Sequence, residues 1–237
     1  MYRLISAQSI YRFNSFQRRM YTALRLGVDE AGRGAVMGPL VISSVLLDDE
    51  SEKELQFQGV KDSKQLSPEK RFHLYDQILE RAKRSCSIHI SSITIDKQRQ
   101  LGLSMNRIEE NHIFTLLKKY VDDPVDEVVI DAFVSKQNRL YNEICKLFPS
   151  SMVRCEFHAD ATYPVVACAS VIAKVERDRA MISLSQELGR DLGSGYPHDE
   201  LSTSYIREFV KEHGKPPTIA RSSWLTTQRI VEEVLRS

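Results

Sequence analysis

The stretch LGVDEAGRG, residues 26–34, runs from a short apolar strand into two adjacent carboxylates and then into an arginine between two glycines. Carboxylates at a strand end, here Asp29 and Glu30, are ligands that a hard divalent cation such as Mg²⁺ prefers. The glycines allow a ligand to approach the backbone without meeting a Cβ atom. With Arg33 between them, these features predict a site that binds a phosphodiester with the help of a metal ion.

Length and composition are those of a globular α/β protein. The 237 residues suffice for one large domain or for a domain with a helical extension, and the 42% of apolar residues provide a substantial core. The 33 basic and 32 acidic side chains nearly balance, so net charge indicates no class of partner. No apolar run approaches the ~20 residues that cross a bilayer, and we expect no membrane partner.

The N-terminal segment differs from the rest in charge. Residues 1–28 contain five arginines and no acid, a composition that is also typical of a mitochondrial presequence. Because its apolar residues are scattered, we favour a simple extension over residues 1–24 and a folded domain over residues 25–237. The four cysteines stand apart from one another and indicate a reducing compartment. We therefore expect a cytoplasmic protein, with a mitochondrial location as the alternative.

Hydrophobic periodicity and turn residues predict five strands and six helices. The predicted strands cover residues 26–30, 39–47, 86–95, 126–131 and 152–157. The predicted helices cover residues 67–83, 104–120, 136–147, 164–188, 201–213 and 222–236, and residues 48–66 read as a polar loop. Three early strands suggest antiparallel neighbours, and the later alternation suggests parallel crossovers. We expect an α/β fold with a mixed five-stranded sheet flanked by helices and a C-terminal helical extension.

Four acidic residues occupy equivalent places in this scheme. Asp29 and Glu30 end the first strand, Asp131 ends the fourth, and Asp160 follows the fifth. If these strands are neighbours, their ends meet at one edge of the sheet. Two Mg²⁺ or Mn²⁺ ions held there could clamp the attacking and leaving oxygens of an in-line displacement. Each acid alone could equally be a strand terminus, a turn residue or a helix cap, and the four together favour a metal site.

The glycine turn also invites a dinucleotide-binding interpretation, which fails in detail. Gly32, Gly34 and Gly38 follow the pattern GxGxxxG rather than GxGxxG, and a strand rather than a helix comes next. No helix N-terminus would then meet a pyrophosphate. The turn more plausibly presents its backbone to a sugar or a phosphate in a groove.

Three further places could contact a nucleic acid, and each has an ordinary structural explanation. Lys64 precedes a helix, where it could bind a phosphate or simply lie in a solvated turn. Lys174 and Arg177 could follow a nucleic-acid backbone, or Lys174 could pair with Asp178 on the helix surface. Tyr196, on a glycine- and proline-rich loop, could stack on a sugar or a base or fill a core.

At these residues the sequence resembles the type 2 ribonuclease H family, ribonuclease HII, in its archaeal form. The segments that carry the resemblance are spread over residues 26–227: GVDEAGRGAVMGPLV, KDSKQLSPEKR, VVIDA, HADATYPVVACASVIAKVERDR, GSGYP and RSSW. The resemblance implies the ribonuclease-H-like fold. It also implies a metal-dependent endonuclease that cuts the RNA strand of RNA–DNA hybrids, including single ribonucleotides in duplex DNA, and leaves 5′-phosphate and 3′-hydroxyl ends.

The resemblance also implies roles for individual residues. The metal-binding catalytic acids would be Asp29, Glu30, Asp131 and Asp160. The substrate-binding residues would be Gly32, Arg33, Gly34, Lys64, Lys174, Arg177 and Tyr196: the glycine turn would read the ribose 2′-OH, Tyr196 would pack on the sugar at the RNA–DNA junction, and the basic residues would touch the backbone. Residues 228–235 contain only a fragment of a sliding-clamp-binding motif. We expect a monomer, with a sliding clamp as a further partner.

Two rival functions fit the same sequence. A DNA-cutting nuclease or integrase of the same fold would cleave duplexes that contain no ribonucleotide. A non-catalytic subunit that binds hybrids would be expected to lack one of the four acids, and all four are present. A dehydrogenase is remote and would have to bind NAD.

Overall fold

A computed structural model describes residues 22–60, 67–131 and 139–236 of the chain. The arginine-rich residues 1–21 and the segment that contains Lys64 lie outside the described residues. The division into an extension and a folded domain therefore stays a prediction. Among the described helices, none combines the length and the apolar character needed to cross a bilayer.

The five expected strands are all present. They are β1 (Leu24–Ala31), β2 (Leu40–Asp48), β3 (Arg84–Ile90), β4 (Glu127–Asp131) and β5 (Met152–Glu156). The helices within the described residues are α1 (Asp49–Phe57), α2 (Pro68–Arg81), α3 (Ser92–Gln100), α4 (Met105–Leu117), α5 (Arg139–Leu147), α6 (Ala159–Thr162), α7 (Pro164–Glu187), α8 (Glu200–His213) and α9 (Leu225–Arg236). A short 3₁₀ turn, Lys118–Tyr120, continues α4.

The strands form one mixed sheet in the order β3-β2-β1-β4-β5. β1 pairs antiparallel with β2, and β2 pairs antiparallel with β3. On its other side β1 runs parallel to β4, which runs parallel to β5. The expected fold class is confirmed, and β1 lies at the centre of the sheet, next to β4.

Helices cover both faces of this sheet. On one face α4 and α5 pack on alternate residues of the central strands, among them Leu26 and Ile130. On the other face α7 lies against the sheet together with α1 and α2. Gly27 permits the close approach of α7, because a Cβ atom there would stand 2.4 Å from the carbonyl oxygen of Val165. The first half of α7 is consequently buried.

Two expectations about local structure are wrong. The supposed loop over residues 48–66 contains α1, whose first turn is acidic and whose cap is the Asp48 side chain, which accepts a hydrogen bond from Ser51 N–H. The supposed third strand ends at Ile90, and the β-branched residues that follow belong to α3. Ser91 caps α3 by accepting a hydrogen bond from Thr94 N–H, which favours helix over strand.

The C-terminal helices form a separate packed cluster at one end of the sheet. α8 and α9 enclose Val36, Met37 and Leu192 together with their own apolar faces. The backbone N–H of Arg221 donates to the carbonyl oxygen of Val36, and the N–H of Gly38 donates to that of Ile219. The C-terminal extension is therefore attached directly to the loop that follows β1.

Candidate active site

Parallel strand pairing brings the acidic residues to one edge of the sheet. Val28 of β1 pairs with Ile130 of β4, so Asp29 and Asp131 follow at the same level of the sheet. β5 lies beside β4, and the short helix α6 that comes after β5 carries Asp160. Three elements distant in the chain thus deliver their carboxylates to one place.

Three of the four acids lie within reach of one ion. Asp29, Asp131 and Asp160 each offer a carboxylate oxygen, and these oxygens all lie within 4.8 Å of one another. Asp29 and Asp160 are buried, and Asp131 is half-buried. The N–H of Ala159 donates to Oδ1 of Asp131 at 3.2 Å and ties α6 to β4. The structure therefore brings together residues that the sequence separates by up to 131 positions.

Glu30 lies beside this group of three aspartates and is not one of its members. Its backbone N–H donates to Oδ1 of Asp29 at 2.8 Å. Burial, together with the nearby carboxylates of Glu109 and Asp131, raises the pKa of Glu30 to about 8. Burial and the charges of Glu30 and Asp131 likewise hold the pKa of Asp29 well above its ordinary value. Glu30 is thus coupled to the cluster through its charge.

The donor set fits a hard divalent cation. Ionised carboxylates at this spacing repel one another, and the raised pKa values of Asp29 and Glu30 express that repulsion and the loss of water. A divalent cation would relieve both, and carboxylate oxygens are the ligands that Mg²⁺ and Mn²⁺ prefer. Asp29, Asp131 and Asp160 are the residues that could hold it, with Glu30 adjacent.

A fifth acid, Glu109, was missed in the sequence. It is fully buried on α4, and Arg33 Nε lies 3.4 Å from its Oε2. Burial raises its pKa to about 8, while Arg33 opposes the rise and Asp29 and Asp131 add to it. Glu109 sits among the apolar positions of an amphipathic helix. Its spacing of four residues from Ile113 and seven from Leu116 is the sequence signal that could have marked it as buried.

The glycine turn is held firmly and yet leaves open space beside it. Gly32 has a φ of 86°, and its carbonyl oxygen accepts a hydrogen bond from Ala35 N–H. The carbonyl oxygen of Arg33 accepts from Nη1 of Arg221 at 2.9 Å. Gly34 is exposed, and a Cβ atom built on it would meet nothing within 4 Å. The fold therefore gives no reason for glycine at position 34, which suits close approach of a ligand.

Arg177 supports the loop that carries Tyr196. Its side chain is only 2% exposed, and its Nη2 donates to the carbonyl oxygen of Ser194 at 2.7 Å. Its guanidinium carbon lies 4.6 Å from the centre of the Tyr196 ring. The carbonyl oxygen of Gly195 accepts hydrogen bonds from the N–H groups of residues 36 and 37, which joins this loop to the glycine turn. The predicted contact of Arg177 with nucleic acid stays a prediction.

Lys174 is linked to the acidic cluster through a serine. Its Nζ donates to Oγ of Ser170 at 2.9 Å, and the Ser170 side chain in turn acts on Asp29, where it opposes the rise in pKa. The alternative partner of Lys174, Asp178, forms an ion pair with Arg71 at 3.4 Å. Lys174 therefore lies near the site, which is the position that its predicted contact with a phosphate requires.

The RSSW segment, residues 221–224, links the C-terminal helices to the glycine turn and to α3. Arg221 is fully buried, and burial and the nearby Arg177 lower its pKa to about 9. The next two serines donate four hydrogen bonds to the carboxylate of Asp96 on α3. Trp224 packs against the apolar core. The sequence indicates Arg221 only as part of the RSSW segment and not as a buried residue, since buried arginines are rare.

Comparisons with known proteins agree on one family. The family model described as Ribonuclease HII matches residues 26–227. Ribonuclease HII of Thermococcus sibiricus is 38% identical over 211 residues, which cover 88% of this chain and 91% of that protein. The crystal structure of the ribonuclease H2 from Pyrococcus horikoshii superposes with a TM-score of 0.80 at 34% identity and covers 90% of this chain and 100% of that one. The ribonuclease HII in a PCNA complex from Archaeoglobus fulgidus superposes with a TM-score of 0.75 at 33% identity, over 85% of this chain and 95% of that one.

Proposed function

The chain belongs to the ribonuclease HII family, and from this membership we propose that it hydrolyses the RNA strand of RNA–DNA hybrids, including single ribonucleotides embedded in duplex DNA. Membership of the family makes it a metal-dependent endoribonuclease with ribonuclease H activity. We further propose that its substrates include isolated ribonucleotides, that two ions take part, and that the products carry 5′-phosphate and 3′-hydroxyl ends.

One observation carries the proposal more than any other. The carboxylate oxygens of Asp29, Asp131 and Asp160, supplied by three separate elements, lie within 4.8 Å of one another. An ordinary strand terminus or helix cap has no need of two further buried acids beside it. Burying like charges together costs free energy, and proteins typically retain such clusters at functional sites.

We assign the metal ligands to Asp29, Asp131, Asp160 and Glu30, and the metal to Mg²⁺ or Mn²⁺. Such ions, when bound, activate water and neutralise charge that develops on the phosphodiester. The chain's own contribution is to hold the carboxylates in a partly desolvated cluster, where electrostatic interactions are stronger than in water. The N–H of Glu30 orients Asp29 by a hydrogen bond, and the N–H of Ala159 orients Asp131.

Recognition of RNA requires a contact with the 2′-hydroxyl group, since that group alone distinguishes a ribonucleotide from its deoxy counterpart. We assign this contact to the backbone of Gly32, Arg33 and Gly34, because the turn is fixed by hydrogen bonds and Gly34 borders open space. Tyr196, held by the guanidinium of Arg177, would pack against the neighbouring sugar. Lys174 and Lys64 would bind phosphates of the backbone.

The deciding experiment uses three duplexes of one sequence. The first carries a single ribonucleotide, the second a run of ribonucleotides in one strand, and the third is all DNA. With Mg²⁺ or Mn²⁺ the protein is expected to cut the first two next to a ribonucleotide and to leave the third intact. Mapping the ends to the nearest bond identifies the products. Cleavage of the all-DNA duplex would favour the rival DNA nuclease, and binding of hybrids without cleavage would favour the non-catalytic subunit.

A sliding clamp remains a proposed partner. The supporting observation is the PCNA complex formed by the related protein from Archaeoglobus fulgidus. In this chain the motif fragment lies on α9, where Ile230 is buried and packed in the C-terminal cluster. A clamp would therefore have to use the exposed side of α9, or other residues. Co-migration with a purified clamp on gel filtration would test the contact and would also show whether the protein alone is the expected monomer.

A further inference from the structure

Helix α4 holds the arginine of the glycine turn with two side chains. Nη2 of Arg33 donates a hydrogen bond to Oδ1 of Asn106, and Nε of Arg33 lies 3.4 Å from Oε2 of Glu109. Asn106 and Glu109 are three residues apart and therefore share one face of the helix. The guanidinium is held against α4 by both of them, so the arginine is fixed at its far end.

The same residue is also fixed at its backbone. The carbonyl oxygen of Arg33 accepts a hydrogen bond from Nη1 of the buried Arg221. These restraints at the side chain and at the carbonyl group limit the conformations open to Arg33 and to the adjoining peptide units. The backbone of residues 32–34 is thereby oriented before any ligand arrives, which is how a precise contact is prepared.

A buried carboxylate at position 109 lowers the stability of the fold. It is 0% exposed, and burial of a carboxylate is unfavourable unless a partner compensates for it. The like charges of Asp29 and Asp131 lie near it as well. Within the described part of the chain, its ion pair is with Arg33. Stability alone would be better served by an apolar side chain, as at Ile108 and Ile113 of the same helix.

We propose that Glu109 is a positioning residue that, together with Asn106, fixes Arg33 and so the backbone of residues 32–34 for recognition of the ribonucleotide. The inference rests on the proposed function, because it assigns reading of the 2′-hydroxyl to this backbone. Glu109 itself touches no substrate in this scheme. Its effect on the reaction passes through Arg33.

A competing role would place Glu109 in the service of the metal site, since its charge also acts on Asp29 and Asp131. The two roles differ in what they change. Substitution of a residue that acts through Arg33 lowers kcat/KM for a ribonucleotide-containing duplex and changes metal affinity little. Substitution of a residue that supports the metal site weakens metal binding, and the activity of the variant returns at saturating metal.

The test is a double-mutant cycle on Glu109→Gln and Arg33→Ala. Each single variant is expected to lower kcat/KM on the single-ribonucleotide duplex by roughly 10–100-fold, the usual effect of removing a partner that orients a site. The double variant should be no worse than the more impaired single variant. The matched control is Glu110→Gln, the next residue of the helix, which pairs with Arg107 at 3.2 Å and should stay near wild type.

Metal affinity is measured separately, from the dependence of the melting temperature on Mn²⁺ concentration without substrate. It is expected to change much less for Glu109→Gln than for Asp131→Asn, because the ion pair of Glu109 is with Arg33. If Glu109→Gln folds poorly, Asn106→Ala provides the same cycle from a half-buried residue. Additive losses in the double variant, or weaker Mn²⁺ binding with activity restored at high metal, would overturn the proposal. Failure of the wild-type protein to cleave would instead refute the proposed function.

Discussion

A Cβ atom added to Gly32 would stand 2.3 Å from Nε of Arg177, so the turn after β1 and the buried arginine of α7 are in direct contact. Gly32 also has a left-handed backbone, with a φ of 86°. Gly34, two residues on, has no such neighbour within 4 Å. The fold therefore requires glycine at position 32 and gives no such reason at position 34, where we propose that a ligand approaches.

Alanine substitution should separate these reasons. Gly32→Ala is expected to lower the free energy of unfolding by about 1–3 kcal/mol, since it strains the backbone and displaces Arg177. Gly34→Ala should leave stability unchanged and raise KM for a ribonucleotide-containing duplex several-fold. Urea denaturation and steady-state kinetics measure the two effects. An unchanged KM for Gly34→Ala would mean that no substrate atom approaches this backbone.

Asp131→Asn should abolish cleavage while sparing the fold. The substitution removes a charge from the cluster and keeps the side chain's shape, so we expect kcat to fall on the order of 100-fold or more, with little change in melting temperature. Affinity for the uncleaved duplex, measured by fluorescence anisotropy, should be largely retained. A variant that cuts at nearly the wild-type rate would show that the site has been assigned to the wrong residues.

The metal-free protein should become less stable as pH rises. Glu30 and Glu109 have ordinary pKa values of 4.5 and folded-state values of about 8. Between these values the folded protein binds more protons than the unfolded chain, so the free energy of unfolding falls with increasing pH. Melting temperatures in EDTA should therefore decrease from pH 5 to pH 8.

Excess Mn²⁺ should reverse much of that loss, because an ion that binds only the folded state stabilises it. Glu109→Gln removes one of the titrating groups and should flatten the pH dependence in EDTA. A melting temperature that rises steadily from pH 5 to pH 8 without metal would contradict the burial of these acids.

Lys174 should contribute to binding through charge. If Lys174 contacts a phosphate, the plot of log K for duplex binding against log salt concentration becomes less steep in Lys174→Ala. The slope changes by roughly 0.9, the value for one phosphate contact. Lys118→Ala is a suitable control, because Lys118 stacks over Phe114 at the far end of α4, about 13 Å along the helix from Glu109. Equal slopes for wild type and Lys174→Ala would remove Lys174 from the interface. The same measurement on Lys64→Ala tests the other predicted contact.

The sheet was predictable because its strands carry strong local patterns. β2 and the centre of β4 are rich in β-branched and apolar residues, β1 runs from apolar residues into the two carboxylates, and the ends of the long helix α7 are marked by Pro164 and a glycine after its last turn. The missed helix α1 has only one buried apolar side chain, Leu55, and is held by an ion pair between Glu52 and Arg25 at 2.7 Å. Such a helix owes its place to tertiary contacts, which a local reading of the sequence does not include.

The candidate site was predictable only where chemistry and strand ends coincide. Asp29, Asp131 and Asp160 stand at the ends of recognisable strands or just beyond them, so topology alone brings them together. Glu109 and Arg221 lie inside or beside helical segments whose pattern is ordinary. Their importance arises from burial, which depends on how α4 and the C-terminal part pack against the glycine turn.

Asp29 belongs to the central strand, whereas Asp160 lies on α6, directly after the outermost strand, β5, which has a single neighbour. Edge strands unfold locally more readily than central strands, while the rest of the protein stays folded. Each local opening of β5 would move Asp160 away from Asp29 and Asp131 and would stop hydrolysis. Heat should accordingly extinguish turnover several degrees before circular dichroism registers the collapse of the whole protein.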